Sequence, residues 1–249
     1  MSDDASWEAE NRRGAHLYQQ GRYAEAALAF RAALVAAEQF GPLDTRVATV
    51  LNNLASLCHQ QGELVEAQAL YERALNIRSQ ALEQDHPMVA QSLNNLSSLY
   101  RELGRHHEAE QLSQQAVAVA EKTFGPDHWR ITNCLNNLGA VYAAQGRYED
   151  AEVCFRRTLV IRQRFFGEQD PTVATTLCGL AELAQMQVRY TEAEPLFRQA
   201  LAIREMQWGT EHPSVATVLE KLAVLLRQLE REPEANDLEA RAHRIRAQQ

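Results

Sequence analysis

Cysteine is scarce and unpatterned: Cys58, Cys134, Cys154 and Cys178 form no CxxC pair and no disulfide or zinc spacing. They read as free thiols of a reducing, cytoplasmic chain, with no metal and no cofactor expected. Lysine is almost absent, only Lys122 and Lys221, so nearly all positive charge is arginine. The formal net charge is −8, which argues against nucleic acid, because phosphate binding needs a dense positive surface. No apolar run approaches the roughly 20 residues of a membrane span. Met1-Ser2-Asp3-Asp4 opens the chain without the apolar core of a signal peptide, so no membrane partner is expected. With 11 glycines and 7 prolines in 249 residues, few positions interrupt regular structure. Ala, Leu, Glu, Gln and Arg dominate, and they lose little side-chain freedom on a helix.

The chain repeats itself. Asn52-Asn53 recurs as Asn94-Asn95 and Asn136-Asn137, and Leu54, Leu96, Leu138, Leu180 and Leu222 keep the same 42-residue step after the Asn pair is lost. Gly62, Gly104 and Gly146 mark a turn at that interval. Length over period gives close to six repeats, at approximately 6–41, 46–83, 88–125, 130–167, 172–209 and 214–248, read as one array over 1–249. Each repeat holds two helical stripes. In the second, Leu51, Leu54, Ala55 and Cys58 follow i, i+3, i+4, i+7; after Gly62 a further stripe runs through Ala67, Leu70, Tyr71 and Ala74. Pro87, Pro171 and Pro213 stand where a first helical turn tolerates a missing N–H. His86, His128 and His212 precede helix starts at one repeat position and read as loop or cap residues.

The pattern Leu-x2-Leu-small-x2-aromatic, Gly, Ala-x3-aromatic is filled in repeat four by Leu135, Leu138, Gly139, Tyr142, Gly146, Ala151 and Phe155. It resembles the tetratricopeptide motif. The 42-residue unit, the Leu-Asn-Asn-Leu core and the Gly125–His128 loop resemble the kinesin-light-chain subfamily and its bacterial relatives. The resemblance runs over about residues 10–247 and implies an all-α fold, a right-handed superhelical solenoid of six antiparallel helix pairs. Light chains carry a heptad segment that docks on the motor. Here repeat one comes first, so a motor subunit is not expected. Glu10, Arg13 and Glu239 replace apolar or aromatic repeat residues in the end repeats, as caps with one solvent-facing side require.

In such an array the first helix of each pair lines the concave side, and a protein or peptide partner is expected there. Opposite the core stripe lie Thr49, Asn53, Ser56 and Gln60, then Gln91, Asn95, Ser98 and Glu102, then Asn133, Asn137, Ala140 and Ala144. The two later helices present Gly179, Glu182 and Met186, then Lys221, Val224 and Gln228. An amide offers both donor and acceptor, so asparagine can hold a peptide backbone without reading its sequence. The resemblance extends that role to Asn53, Asn95 and Asn137. Asn52, Asn94 and Asn136 flank them, and Gln91, Asn133, Ser98 and Arg101 complete the candidate set. These amides could instead bond neighbouring helices.

Toward the C-terminal half, Ala140, Ala144, Met186 and Val224 offer apolar contact. Arg12, Arg101 and Arg227 face Glu102, Glu182 and Glu220 and make no basic strip. No catalytic residue is expected: His106-His107-Glu108 is not HExxH, and no phosphate loop or carboxylate cluster occurs. Cys178, in the place of a first asparagine, is expected on the groove flank. A non-catalytic interaction module is the reading; the alternative is a scaffold that self-associates through its ends or convex face, making homo-oligomers.

Overall fold

The computed structural model describes residues 3–247. Met1, Ser2, Gln248 and Gln249, which the sequence reading includes in its N-terminus and last repeat, lie outside them. The chain divides between Pro126 and Asp127 into two compact units. Unit one contains α1 (Asp3–Gln19), α2 (Tyr23–Glu38), α3 (Thr45–Gln60), α4 (Leu64–Ala81), α5 (Pro87–Glu102) and α6 (His106–Phe124). Unit two begins with a 3-10 turn (Trp129–Ile131) and contains α7 (Thr132–Ala144), α8 (Tyr148–Phe166), α9 (Pro171–Met186), α10 (Tyr190–Trp208), α11 (Pro213–Gln228) and α12 (Glu232–Ala247). Each odd helix packs most closely on the even helix that follows it, and within a unit each even helix packs on the next odd one. The six expected helix pairs are therefore present, all-α among the described residues.

Local chemistry explains where the helices begin and end. Asp44, His86, His128, Asp170 and His212 occupy one repeat position, and each side chain accepts the backbone N–H two residues on, at 2.8–3.2 Å. The histidines are thus N-caps, satisfying a donor that a helix start leaves orphaned. At the turn inside each pair, Gly62, Gly104 and Gly146 adopt φ of 74–78°, a region costly for residues with a Cβ. Repeats five and six lack that glycine. Val188 (φ 60°) and Glu230 (φ 59°) take the same backbone conformation and are strained by it.

Inside each pair a small residue faces a ring. A Cβ at Gly139 would lie 3.0 Å from Phe155, and one at Gly14 would lie 2.6 Å from Phe30. Repeat three replaces both partners with hydroxyls: Ser97 bonds Ser113 and donates to the Ala109 carbonyl at 2.8 Å. The end repeats are polar where expected. Arg13 is exposed and bonds Glu10 at 3.2 Å, and Glu239 bonds Arg227.

Between pairs, arginine bolts an even helix to the next odd one. Arg78, Arg162 and Arg204 donate through Nη1 to the carbonyls of Met88, Thr172 and Ser214, at 2.9, 2.8 and 2.7 Å. Arg78 also reaches Ser92 Oγ, and Arg162 reaches Thr176 Oγ1, both at 2.9 Å. Arg78 is 1% and Arg162 4% exposed, yet neither forms an ion pair with a described residue. Burial pushes both guanidinium pKa values down to about 10, which still leaves them charged at neutral pH. Each buried cation persists because carbonyl and hydroxyl oxygens solvate it, helped at Arg162 by the field of the Asp170 carboxylate.

Candidate functional site

In unit one α3 and α5 carry the predicted amides. Asn52 is buried, and its amide is fully engaged. Its Nδ2 donates to the Ala48 carbonyl and to Ser92 Oγ, both at 3.1 Å, and its Oδ1 accepts from Asn95 Nδ2 at 3.2 Å. Asn53 is half-buried, and its Nδ2 donates to Asn11 Oδ1 at 2.8 Å. The two asparagines of a pair therefore differ. Asn52 is an acceptor set into the helix seam and Asn53 donates back to the preceding odd helix, whereas the Oδ1 atoms of Asn94 and Asn136 are buried and accept no hydrogen bond from the described residues. Asn53 and Asn95 each spend one N–H this way, and their Oδ1 atoms accept no hydrogen bond from the described residues. Neither oxygen is buried. Open carbonyl acceptors held at fixed orientation suit the N–H groups of an extended chain.

Around this pair of rungs the face is polar. Gln91 is exposed, with Oε1 accepting from Arg78 at 3.3 Å; Asn94 and Ser98 are half-buried. Arg101 lies 3.7 Å from Glu102, which also meets His59 Nε2 at 2.7 Å. Arg12 is paired with Glu8 at 3.5 Å, so the charges here are already matched.

Unit two holds the rest of the predicted set. Asn133 is exposed and accepts from Arg162 Nη2 at 2.8 Å; Asn136 and Asn137 are half-buried. Ala140 is half-buried, and Ala144, Met186 and Val224 are exposed, so this face is more apolar than that of unit one. Lys221 pairs with Glu182, Glu220 with Arg246, and Arg227 with Glu239. Neither unit presents an uncompensated basic strip along these helices.

Two residues sit otherwise than the sequence suggested. Cys178 is buried, 5% exposed, rather than on a groove flank, because position 178 turns into the α9–α10 core. Burial pushes its thiol above the ordinary range, which suppresses reactivity. Asn52 is likewise buried in the seam rather than on the groove flank. One gathering of potential metal donors occurs among the described residues: Cys58 with Glu63 and Glu66, both carboxylates exposed. Burial, with the two carboxylates, pushes the Cys58 thiol up to about 11, so it holds its proton at neutral pH.

Sequence reasoning missed Asn11 and the three arginines. Asn11 was hidden because Glu10 and Arg13 replace its flanking leucines. The spacing of Arg78, Arg162 and Arg204, 84 and 42 residues apart, was a usable signal.

The tetratricopeptide repeat family matches residues 8–80, 46–122, 88–159, 130–206 and 183–248. Among solved structures, BtubC (BKLC) from P. vanneervenii is similar at 22% identity, covering 99% of this chain and 92% of that one, with a TM-score of 0.68. A Podosopora anserina kinesin light chain with nearly identical TPR-like repeats is 26% identical over 82% of this chain and 96% of its own, with a TM-score of 0.64. A Rap protein complexed with competence and sporulation factor is 14% identical, covering 100% of this chain and 77% of that one, with a TM-score of 0.71. No curated protein matches the chain in sequence. No helix among the described residues is long and apolar enough to cross a membrane.

Proposed function

The chain belongs to the tetratricopeptide repeat family, whose members serve protein–protein interaction, and from that premise we propose that it is a non-catalytic module holding an extended peptide segment of a partner protein on its odd-helix faces. The observation that carries this reading is the pair of rungs at Asn53 and Asn95. Each amide is fixed by one N–H to the helix before it and keeps its carbonyl oxygen open to solvent. Preorganised acceptors cost a ligand little ordering, which is where affinity for an otherwise featureless backbone comes from. Asn137 is assigned the same part on unit two by its repeat position. Gln91, Ser98 and Asn133 border the peptide, and Asn52 holds the Asn95 rung in place. The complex of a Rap protein with competence and sporulation factor fits this use of a similar fold. The net charge of −8 argues against nucleic acid as the partner.

The test is peptide-display selection against the purified chain, beside an Asn53/Asn95/Asn137→Ala triple variant shown by circular dichroism to be folded. A consensus lost in the variant supports the reading; a consensus the variant retains removes the amides from it. A second reading, self-association, is favoured by exposed valine and leucine pairs seven residues apart on even helices: Leu28 and Val35 of α2, and Val153 and Val160 of α8. It requires a mass that rises with concentration and is indifferent to the amide changes.

A further inference from the structure

One face of α8 carries a stripe at helical spacing: Glu149, Val153, Arg156, Val160 and Arg164, every one of them exposed. Val153 is 67% and Val160 64% exposed, two isopropyl groups left in water two turns apart. The stripe reads alike from either end. Turning the helix end for end about its midpoint, between Arg156 and Arg157, exchanges Val153 with Val160 and Glu149 with Arg164. Neither Glu149 nor Arg164 forms an ion pair with a described residue. They stand about 22 Å apart along one helix, too far to meet each other. The central arginines are already engaged. Arg156 pairs with Glu152 at 2.5 Å, and half-buried Arg157 has a partner of its own within the chain, which softens like-charge repulsion at the middle of the stripe.

Resting on the self-association reading above, we propose that α8 is the face of a two-fold homodimer, packed antiparallel on α8 of a second copy, with Val153 of each chain against Val160 of the other and Glu149 against Arg164 at both ends. A face that complements its own reversed copy is what a closed two-fold contact requires. The equivalent stripe on α2 fails that condition. Leu28 and Val35 take the valine places there, but Ala24 and Gln39 stand where Glu149 and Arg164 would be, so no charge fixes direction or register. One helix against one helix buries little area, so the dimer is of modest affinity and its mass rises with concentration.

The test is sedimentation equilibrium of the purified chain over a wide concentration range, each variant first checked for folding by circular dichroism and thermal melt. The wild type should rise from the mass of one chain toward that of two and no further. Val153→Ser/Val160→Ser should stay at one, whereas Leu28→Ser/Val35→Ser should behave as the wild type. Arg164→Glu turns both end pairs into contacts between carboxylates and should weaken dimerisation roughly tenfold. Adding Glu149→Arg re-forms both pairs with their signs exchanged and should restore dimerisation to within about threefold of the wild type. Because the two positions cannot meet within one chain, that rescue reports the antiparallel contact itself. A wild type at the mass of one chain throughout overturns the self-association reading and the α8 face together. Association that survives Val153→Ser/Val160→Ser, that the second charge change fails to rescue, or that runs past two chains overturns the α8 dimer and leaves self-association standing.

Discussion

Asn52→Ala and Asn53→Ala change adjacent residues on one helix and should have opposite consequences. Asn52 makes two bonds that cross between helices, one to Ser92 and one from Asn95, besides a local bond to Ala48. Each crossing bond is worth about 0.5–1.5 kcal/mol, and truncation leaves a buried gap where the amide was. Alanine regains about 0.6 kcal/mol of helix propensity. The balance is a loss of about 1.5–2.5 kcal/mol. Asn53 is half-buried and makes one bond, to Asn11, so the same propensity gain nearly cancels its loss. Urea unfolding followed at 222 nm is the first assay. Because a repeat array need not unfold in a single step, hydrogen exchange of α3 and α5 should accompany it. Asn52→Ala should lower protection in both helices and Asn53→Ala in neither, while peptide capture should suffer from Asn53→Ala. Equal destabilisation by the two changes would refute the division of labour within the asparagine pair.

Leu138→Ala, at a buried position in the middle of the array, should cost about 2–5 kcal/mol in the same unfolding assay. Leu238→Ala, half-buried on α12, should loosen only that terminal helix in hydrogen exchange; equal melting of the whole array by both changes would contradict nearest-neighbour stacking. Val188→Gly relieves a β-branched residue at φ 60° and should raise stability by about 1 kcal/mol in a thermal melt, where a drop would mean the conformation is not strained. Burial pushes the Glu194 carboxyl up, but hydrogen bonds from Arg198 and Arg231 outweigh it and hold the pKa below the ordinary value. The resulting stability is present above the unfolded pKa of about 4.3 and is lost as pH falls through the lowered one. Glu194→Gln should therefore lower the melting temperature at pH 7 and flatten its decline at acid pH.

Much of the fold was legible because each repeat states the same instructions. The leucine stripe, the turn glycine and the cap residue recur at fixed spacing, and His86, His128 and His212 take the cap role that Asp44 and Asp170 fill elsewhere. The face of the odd helices was also legible: Asn53, Gln91, Asn95, Ser98 and Asn137 all lie outside the core, as 100° per residue requires. What escaped was the pairing between repeats. Helical periodicity places a side chain on a face but does not say which neighbour it meets, so Asn52 and Cys178, both near a face boundary, looked accessible and are buried. The arginine bolts escaped for another reason. A charged residue on a mostly polar helix ordinarily reads as solvated, and only carbonyls and hydroxyls contributed by the following helix make its burial tolerable.

Those bolts come with matched sockets. Arg78 faces a helix that supplies Ser92, and Arg162 one that supplies Thr176, whereas Ala37 at the corresponding place on α2 precedes Val50 on α3. Guanidinium travels with hydroxyl, and methyl with isopropyl. The inheritable module of this chain is then an even helix together with the odd helix that follows it, out of phase with the helix pair that defines a repeat by eye. Recombination that cuts at the loops between pairs would strand guanidinium groups against valine and hydroxyls against alanine. Cuts at the tight turns inside the pairs would carry each fitting intact into its new place.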